Sequence, residues 1–213
     1  MARIHFYYCP GSCSLASHIL LHEAGVPFST TSLSVAKGFP TSFSHVNPKL
    51  RVPVLTIDDE TITESPAIML AISQLCPDKH LMGSTDLERT RVLEWMNWIS
   101  GTLHGQGYGG LIRPGRYLDD PALHTAIKFK ARQTVKDCYD LIEGQLVSCH
   151  AVGNRFTAVD AYLYVFYRWG STDGFEMKQY PRYTALVTEL YRRQAAKQAV
   201  EVEGIDPYVT ASL

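Results

Sequence analysis

Ile4, Phe6 and Tyr8 alternate with His5 and Tyr7 near the start of the chain, the period-two pattern of a strand with one buried face. Pro10-Gly11-Ser12 interrupts it. A helix is predicted from about Ser14, with Leu15, Ile19 and Leu20 turned toward a core. Gly25 stands where a C′ residue would end that helix, and Pro27 forbids its continuation. Residues 28–33 predict a second strand, and residues 37–46, rich in Ser, Thr and Gly, predict irregular chain or a weak helix. Residues 54–57 and 61–63 flank Asp58-Asp59-Glu60 as an antiparallel hairpin. Pro66, at a first-turn position, opens a helix to about Cys76. The order is βαβ, a weak helix, then ββα, which builds a small sheet domain.

After the polar stretch "CPDKHLMGSTD" the strand pattern stops and helical periods take over. Val92, Met96, Ile99 and Leu103 form one apolar stripe; Ala131, Val135, Cys138, Ile142 and Leu146 form another. Phe156-Thr157-Ala158-Val159-Asp160 predicts a helix start, with Thr157 capping a first-turn amide and Asp160 reaching back. The helix it opens, "AVDAYLYVFYRW", is apolar nearly all round and so should be the buried centre of this second part. One further helix is expected over residues 181–199.

Bulk properties narrow the partners. Lys plus Arg total 20 against 21 Asp plus Glu, with no basic block, so neither nucleic acid nor an anionic membrane is the expected partner. The segment 158–169 holds Asp160 and Arg168 and is too short to span a bilayer. Arg3 and His5 interrupt the first apolar stretch, which therefore does not resemble a signal peptide. Five scattered cysteines form no CxxC pair and no metal-spaced set, which suits free thiols in a reducing, cytoplasmic compartment.

Three short motifs carry candidate chemistry, each with an ordinary alternative. Cys13-Ser14 opens the first helix. A buried cysteine in a tight corner is usually a small apolar residue, but at a helix N-terminus the thiolate is stabilised and the pKa falls below about 8.5. Pro53 is either a strand-initial proline or a cis proline that leaves the Val52 backbone free to pair with an extended peptide. Glu64-Ser65 is either a helix cap or a site where the helix amides hold a carboxylate and Glu64 holds an ammonium.

The segments "FYYCPGSCSLASHILLHEAGVPF", "NPKLRVPVL", "ESPAI" and "FTAVDAYLY", in this order and spacing, resemble the soluble glutathione S-transferases, most of all the bacterial beta class. The resemblance covers nearly the whole chain. It implies a thioredoxin-like α/β domain over residues 1–78, a linker over 79–86 and an all-helical domain over 87–213. It also implies a homodimer with glutathione bound as co-substrate and no metal. Pro53 would be cis, with Val52 pairing the cysteinyl unit, Glu64 and Ser65 holding the γ-glutamyl head, and Lys37 facing the glycyl carboxylate. Cys13 matches the cysteine beside the glutathione sulfur, Ser14 and Tyr8 are hydroxyls nearby, and His104 matches a histidine reaching in from the fourth helix.

This chain departs from the family pattern in two places. Gly105 stands where a lysine commonly follows the histidine, and the glycines at 105, 107, 109 and 110 should end or distort that helix early. Tyr108, Leu111 and Tyr117 are then expected to line a wider or differently shaped acceptor pocket, the ordinary alternative being a disordered connector. Leu50 stands where the family often has glycine. The expected reaction joins the glutathione thiol to a largely apolar electrophile. The alternatives are thiol–disulfide or sulfur transfer through Cys13, and a ligand carrier without turnover.

Overall fold

The computed structural model describes residues 2–34 and 39–208. Lys37 lies outside the described residues. The N-terminal alternation forms β1 (Ile4–Tyr8), which buries Ile4, Phe6 and Tyr8 on one face. β1 sits centrally, parallel to β2 (Ser29–Ser32) and antiparallel to β3 (Val54–Ile57), and β4 (Glu60–Thr63) closes the hairpin, giving the order β2-β1-β3-β4. Between β1 and β2 runs α1 (Ser14–Ala24). It ends on Gly25, whose φ of +70° only glycine adopts without strain and whose amide reaches the Leu21 and His22 carbonyls. Of the expected weak helix, a short 3₁₀ turn at Thr41–His45 is present. α2 (Ser65–Leu75) follows β4. The thioredoxin-like arrangement expected for this half is therefore present.

α1 is buried on nearly every side because it packs against α2, against α6 (Ala158–Thr172) and against α8 (Gln194–Glu203). Its polar residues need partners in that setting. His18 Nδ1 meets Glu203 Oε1 at 2.9 Å, and the Ser14 hydroxyl donates to the Cys9 carbonyl at 3.1 Å.

α6 is the buried centre of the helical part, as its composition predicted, and it starts on the expected capping box: Asp160 accepts from the Thr157 amide at 2.7 Å. The segment before α3 (Asp86–Trp98) buries Leu81 and Met82, and the Leu81 carbonyl accepts from the Ala158 amide at 2.8 Å.

Two expectations are corrected. The helix predicted over 181–199 is two helices, α7 (Pro181–Tyr191) and α8, broken where Arg193 turns extended. Arg193 leaves the helix to pair with Glu23 at 2.6 Å and to cover the Phe156 ring at 4.4 Å. The glycine-rich helix does not end early. α3 runs on through a π-helical segment, Ile99–Tyr108, into α4 (Gly109–Ile112). The distortion expected from glycine is real, but the chain stays helical because α5 (His124–Gln145) packs against it at a distance only glycine allows. A Cβ on Gly107 would stand 2.8 Å from Val135 Cγ2, and one on Gly110 would stand 2.9 Å from Ala131 Cβ.

These contacts set opposite signs for two similar substitutions. Gly110→Ala gains about 1 kcal/mol of helix propensity but overpacks α5, so a net loss of about 1–2 kcal/mol is expected. Gly101→Ala, whose Cβ would meet nothing within 4 Å, should be neutral or gain up to about 1 kcal/mol. Equilibrium urea unfolding of both variants checks the pair.

Candidate active site

The turn between β1 and α1 is pinned from the far end of the chain. The Gly11 amide donates to Glu203 at 2.8 Å, and the Trp169 indole donates to the Gly11 carbonyl at 2.8 Å. So held, the turn points Ser12 and Cys13 into a cleft of about 400 Å³ between the sheet half and the helices. The opposite wall is Val52-Pro53, whose peptide bond is cis as the resemblance implied. Cys13 Sγ lies 3.7 Å from the Val52 carbonyl. Leu50, upstream in the same loop, holds a φ of 50°, a conformation that glycine adopts more easily.

Glu64 and Ser65 complete that side of the cleft. Glu64 is the N-cap residue of α2 at φ 70°, a sparsely populated conformation for a residue with a side chain. Its carboxylate meets Lys49 Nζ at 2.5 Å, and Ser65 is buried behind it. From the helical side come His104, Tyr108 and Tyr117, with Trp169 behind. The Tyr117 hydroxyl is held by the Gly105 carbonyl. The Tyr108 hydroxyl turns away to Tyr139 at 2.5 Å, so only its ring serves the cleft.

Three predicted residues are not on this surface. Tyr8 lies in the core, stacked on Phe6 and tilted against His18, because strand alternation sends it to the α1 side. Ser14 is fully buried and its hydroxyl is occupied by the Cys9 carbonyl and Ser12 Oγ. Leu111 packs toward the core, and its neighbour Ile112 lines the cleft instead.

Electrostatics correct a further expectation. The Cys13 thiol was placed where helix amides would lower its pKa. Burial instead pushes it up to about 11; the Ser65 hydroxyl, its own backbone amide and Arg113 offset only part of the rise. The residual rise is worth roughly 3 kcal/mol, whereas a helix terminus contributes about 0.3–1 kcal/mol, so desolvation wins. His104 is lowered to about 4 by burial and by Arg113 and Arg116. At neutral pH both groups are uncharged.

The sequence reading omits several cleft residues, three arginines and a tyrosine among them. Arg113 and Arg116 flank Pro114-Gly115 immediately after α4, and Arg51 precedes Val52. A basic pair around a Pro-Gly turn was the available signal. Tyr162, hidden in the all-apolar α6, carries its hydroxyl to the floor beside Cys13, Ser65 and Ser100. That hydroxyl is fully buried and lacks a hydrogen bond of good geometry.

Comparison with known proteins points to one family. Residues 10–75 match the model of the glutathione S-transferase N-terminal domain. The chain is 32% identical over 205 residues to glutathione S-transferase GstA of Escherichia coli O157:H7, covering 93% of this chain and 98% of that one. It is 27% identical over 202 residues to glutathione S-transferase GST-4.5 of Xanthomonas campestris, covering 94% and 98%. Among solved structures, a sphingomonad glutathione S-transferase complexed with glutathione superposes with a TM-score of 0.83 at 32% identity, covering 95% of this chain and all of that one. The bacterial beta class enzyme of Sphingomonas chungbukensis gives 0.83 at 31%, with coverage of 95% and 100%. The chain belongs to the glutathione S-transferase family.

The lowered His104 fixes a titration and a sign. Its imidazole should titrate near pH 4 by proton NMR, and Arg113→Gln together with Arg116→Gln should move it upward toward 6.5. Because the unfolded chain takes this proton first, stability is lost as pH falls from about 6.5 toward 4, with His22, also lowered to about 4, adding to that window. His104→Gln should flatten the decline between those limits, read by denaturation midpoints across pH.

Proposed function

We propose that the cleft binds glutathione along the Val52–Pro53 edge and directs its sulfur at an electrophilic carbon held between His104, Tyr108, Tyr117 and Trp169. The observation that carries this reading is the convergence on one cleft of Val52, the Glu64-Ser65 helix start and Cys13. Extended backbone pairs with Val52, the α2 amides and Ser65 take the γ-glutamyl carboxylate, and Glu64 takes its ammonium. The guest sulfur then lies beside Cys13. In the reaction the thiol proton leaves to solvent, the S–C bond forms, and the bond to the leaving group breaks.

Cys13, protonated at neutral pH, acts here as a donor to the guest thiolate rather than as a nucleophile. This favours conjugation over disulfide exchange, which needs the Cys13 thiolate. Tyr162 is a second donor, its hydroxyl already desolvated and aimed at the same point. A homodimer and a cytoplasmic location accompany this reading. The dimer is supported by the exposed apolar side chains of Leu70 on α2 and Leu87 and Leu93 on α3.

Two variants test the assignment with chlorodinitrobenzene as acceptor. Cys13→Ala should lower conjugation by no more than about tenfold, one lost hydrogen bond, and should leave retention on glutathione-agarose intact. Loss of all turnover would move the chemistry onto Cys13. Tyr162→Phe should lower kcat by about tenfold while leaving the unfolding midpoint unchanged or slightly higher, since it deletes a buried hydroxyl without a good partner.

A further inference from the structure

The outer half of the cleft carries a charge pattern that glutathione binding leaves unexplained. Arg51, Arg113 and Arg116 all line it, and among the described residues the one carboxylate that lines it, Glu64, is already paired with Lys49. None of the salt bridges among the described residues involves these three arginines. They crowd one another: Arg116 is lowered first by burial and then by Arg113 and Arg51. Arg113 also reaches inward, since both the Cys13 thiol and the His104 imidazole feel its charge.

The lip is also stiff. Pro114–Arg116 forms a short 3₁₀ turn closed by the Arg116 amide on the Arg113 carbonyl at 3.0 Å and the Tyr117 amide on the Pro114 carbonyl at 2.9 Å. Tyr117 ties this turn back to the π-helical segment through the Gly105 carbonyl. Arg51 is anchored to its own loop, donating to the Leu50 carbonyl at 2.8 Å. Tyr108, Tyr117, Trp169 and Ile112 line the same cleft with aromatic and apolar surface. Like charges held together without counterions leave an unmet demand for an anion, and planar guanidinium groups meet carboxylates in two-point geometry.

We propose that the physiological acceptor is an anionic aromatic electrophile, its ring between Tyr117 and Trp169 and its carboxylate or sulfonate on Arg113 and Arg116. This rests on the conjugation reading and narrows it from an apolar acceptor to a charged one. The glutathione sulfur forms its bond to the ring carbon, the carbon–leaving-group bond breaks, and the leaving group departs as an anion with the thiol proton passing to solvent. Arg113, whose charge acts on Cys13, also faces the negative charge that spreads over the ring as the sulfur adds.

The test compares chlorodinitrobenzene with its ring-carboxylated analogue, chlorodinitrobenzoate, in the wild type and in the double variant R113Q/R116Q. The wild type should show a KM about tenfold lower for the carboxylate, a preference that shrinks with added salt. In the double variant the preference should collapse to near unity. Equal KM values in the wild type overturn the proposal. So does a double variant whose loss falls on the KM of glutathione, which would assign the arginines to the glycyl carboxylate. If neither acceptor is conjugated, the conjugation reading fails by itself, and binding of unreactive dinitrobenzoate, followed by tryptophan fluorescence quenching, decides the anion site. Quenching in the wild type that the double variant loses supports the site; its absence in the wild type overturns it.

Discussion

The Glu203 carboxylate is nearly inaccessible to water, yet it takes the Gly11 amide on one oxygen and the His18 imidazole on the other. A buried carboxylate without partners would be strongly unfavourable, so this arrangement holds only when α8, α1 and the β1–α1 turn are all in place. The Trp169 indole holds the other side of the same peptide unit from α6. The turn that aims Cys13 is therefore not a local property of "CPGSC". It is set by two residues more than 150 positions away, which explains why the break between α7 and α8 matters: a single straight helix could not return Glu203 to α1.

With the turn held, burial decides the chemistry of the floor. Cys13 and His104 are each pushed to their uncharged form by the same loss of solvent, although the shifts run in opposite directions. A floor without its own charge suits a guest that brings one. An incoming thiolate meets donors that are already desolvated and need no reorganisation, the condition under which dipoles stabilise charge most effectively. The fixed positive charge lies farther out, on Arg113, Arg116 and Arg51, where water still reaches the guanidinium groups.

Much of this was legible in the sequence, for reasons that can be stated. Strand alternation at Ile4, Phe6 and Tyr8, the glycine stop at Gly25 and the Thr157–Asp160 box are local signals, set by backbone sterics within a few residues. Motif resemblance located Val52, Glu64, Ser65, Cys13 and His104, all of which the structure brings to one cleft. Tyr8 was misplaced because hydroxyl density near a turn does not tell which face a strand residue takes. The glycine run was misread because propensity penalises glycine in a helix, whereas the close approach of Val135 and Ala131 comes from another helix altogether. Tyr162 is invisible for a related reason: within an apolar helix one tyrosine looks like core, and only the folded chain sets its hydroxyl beside Cys13 and Ser65.

The two halves of the cleft are built from different materials, and this bears on what each can vary. The half proposed to hold the tripeptide is largely backbone: a strand edge at Val52 and the amides that open α2, groups any sequence supplies once the fold forms. Its constraints are conformational, as the positive φ angles of Leu50 and Glu64 record. The acceptor half is side chains displayed on a glycine-rich π-helical segment and the short turn that follows it. Gly107 and Gly110 let that helix lie close to α5, while His104 and the arginine lip after α4 line the cleft. Substitutions on this face change charge and shape without touching the backbone at Val52 and the start of α2. A shared thiol donor and a separately adjustable acceptor wall follow from that division, and in this chain the wall has been given positive charge.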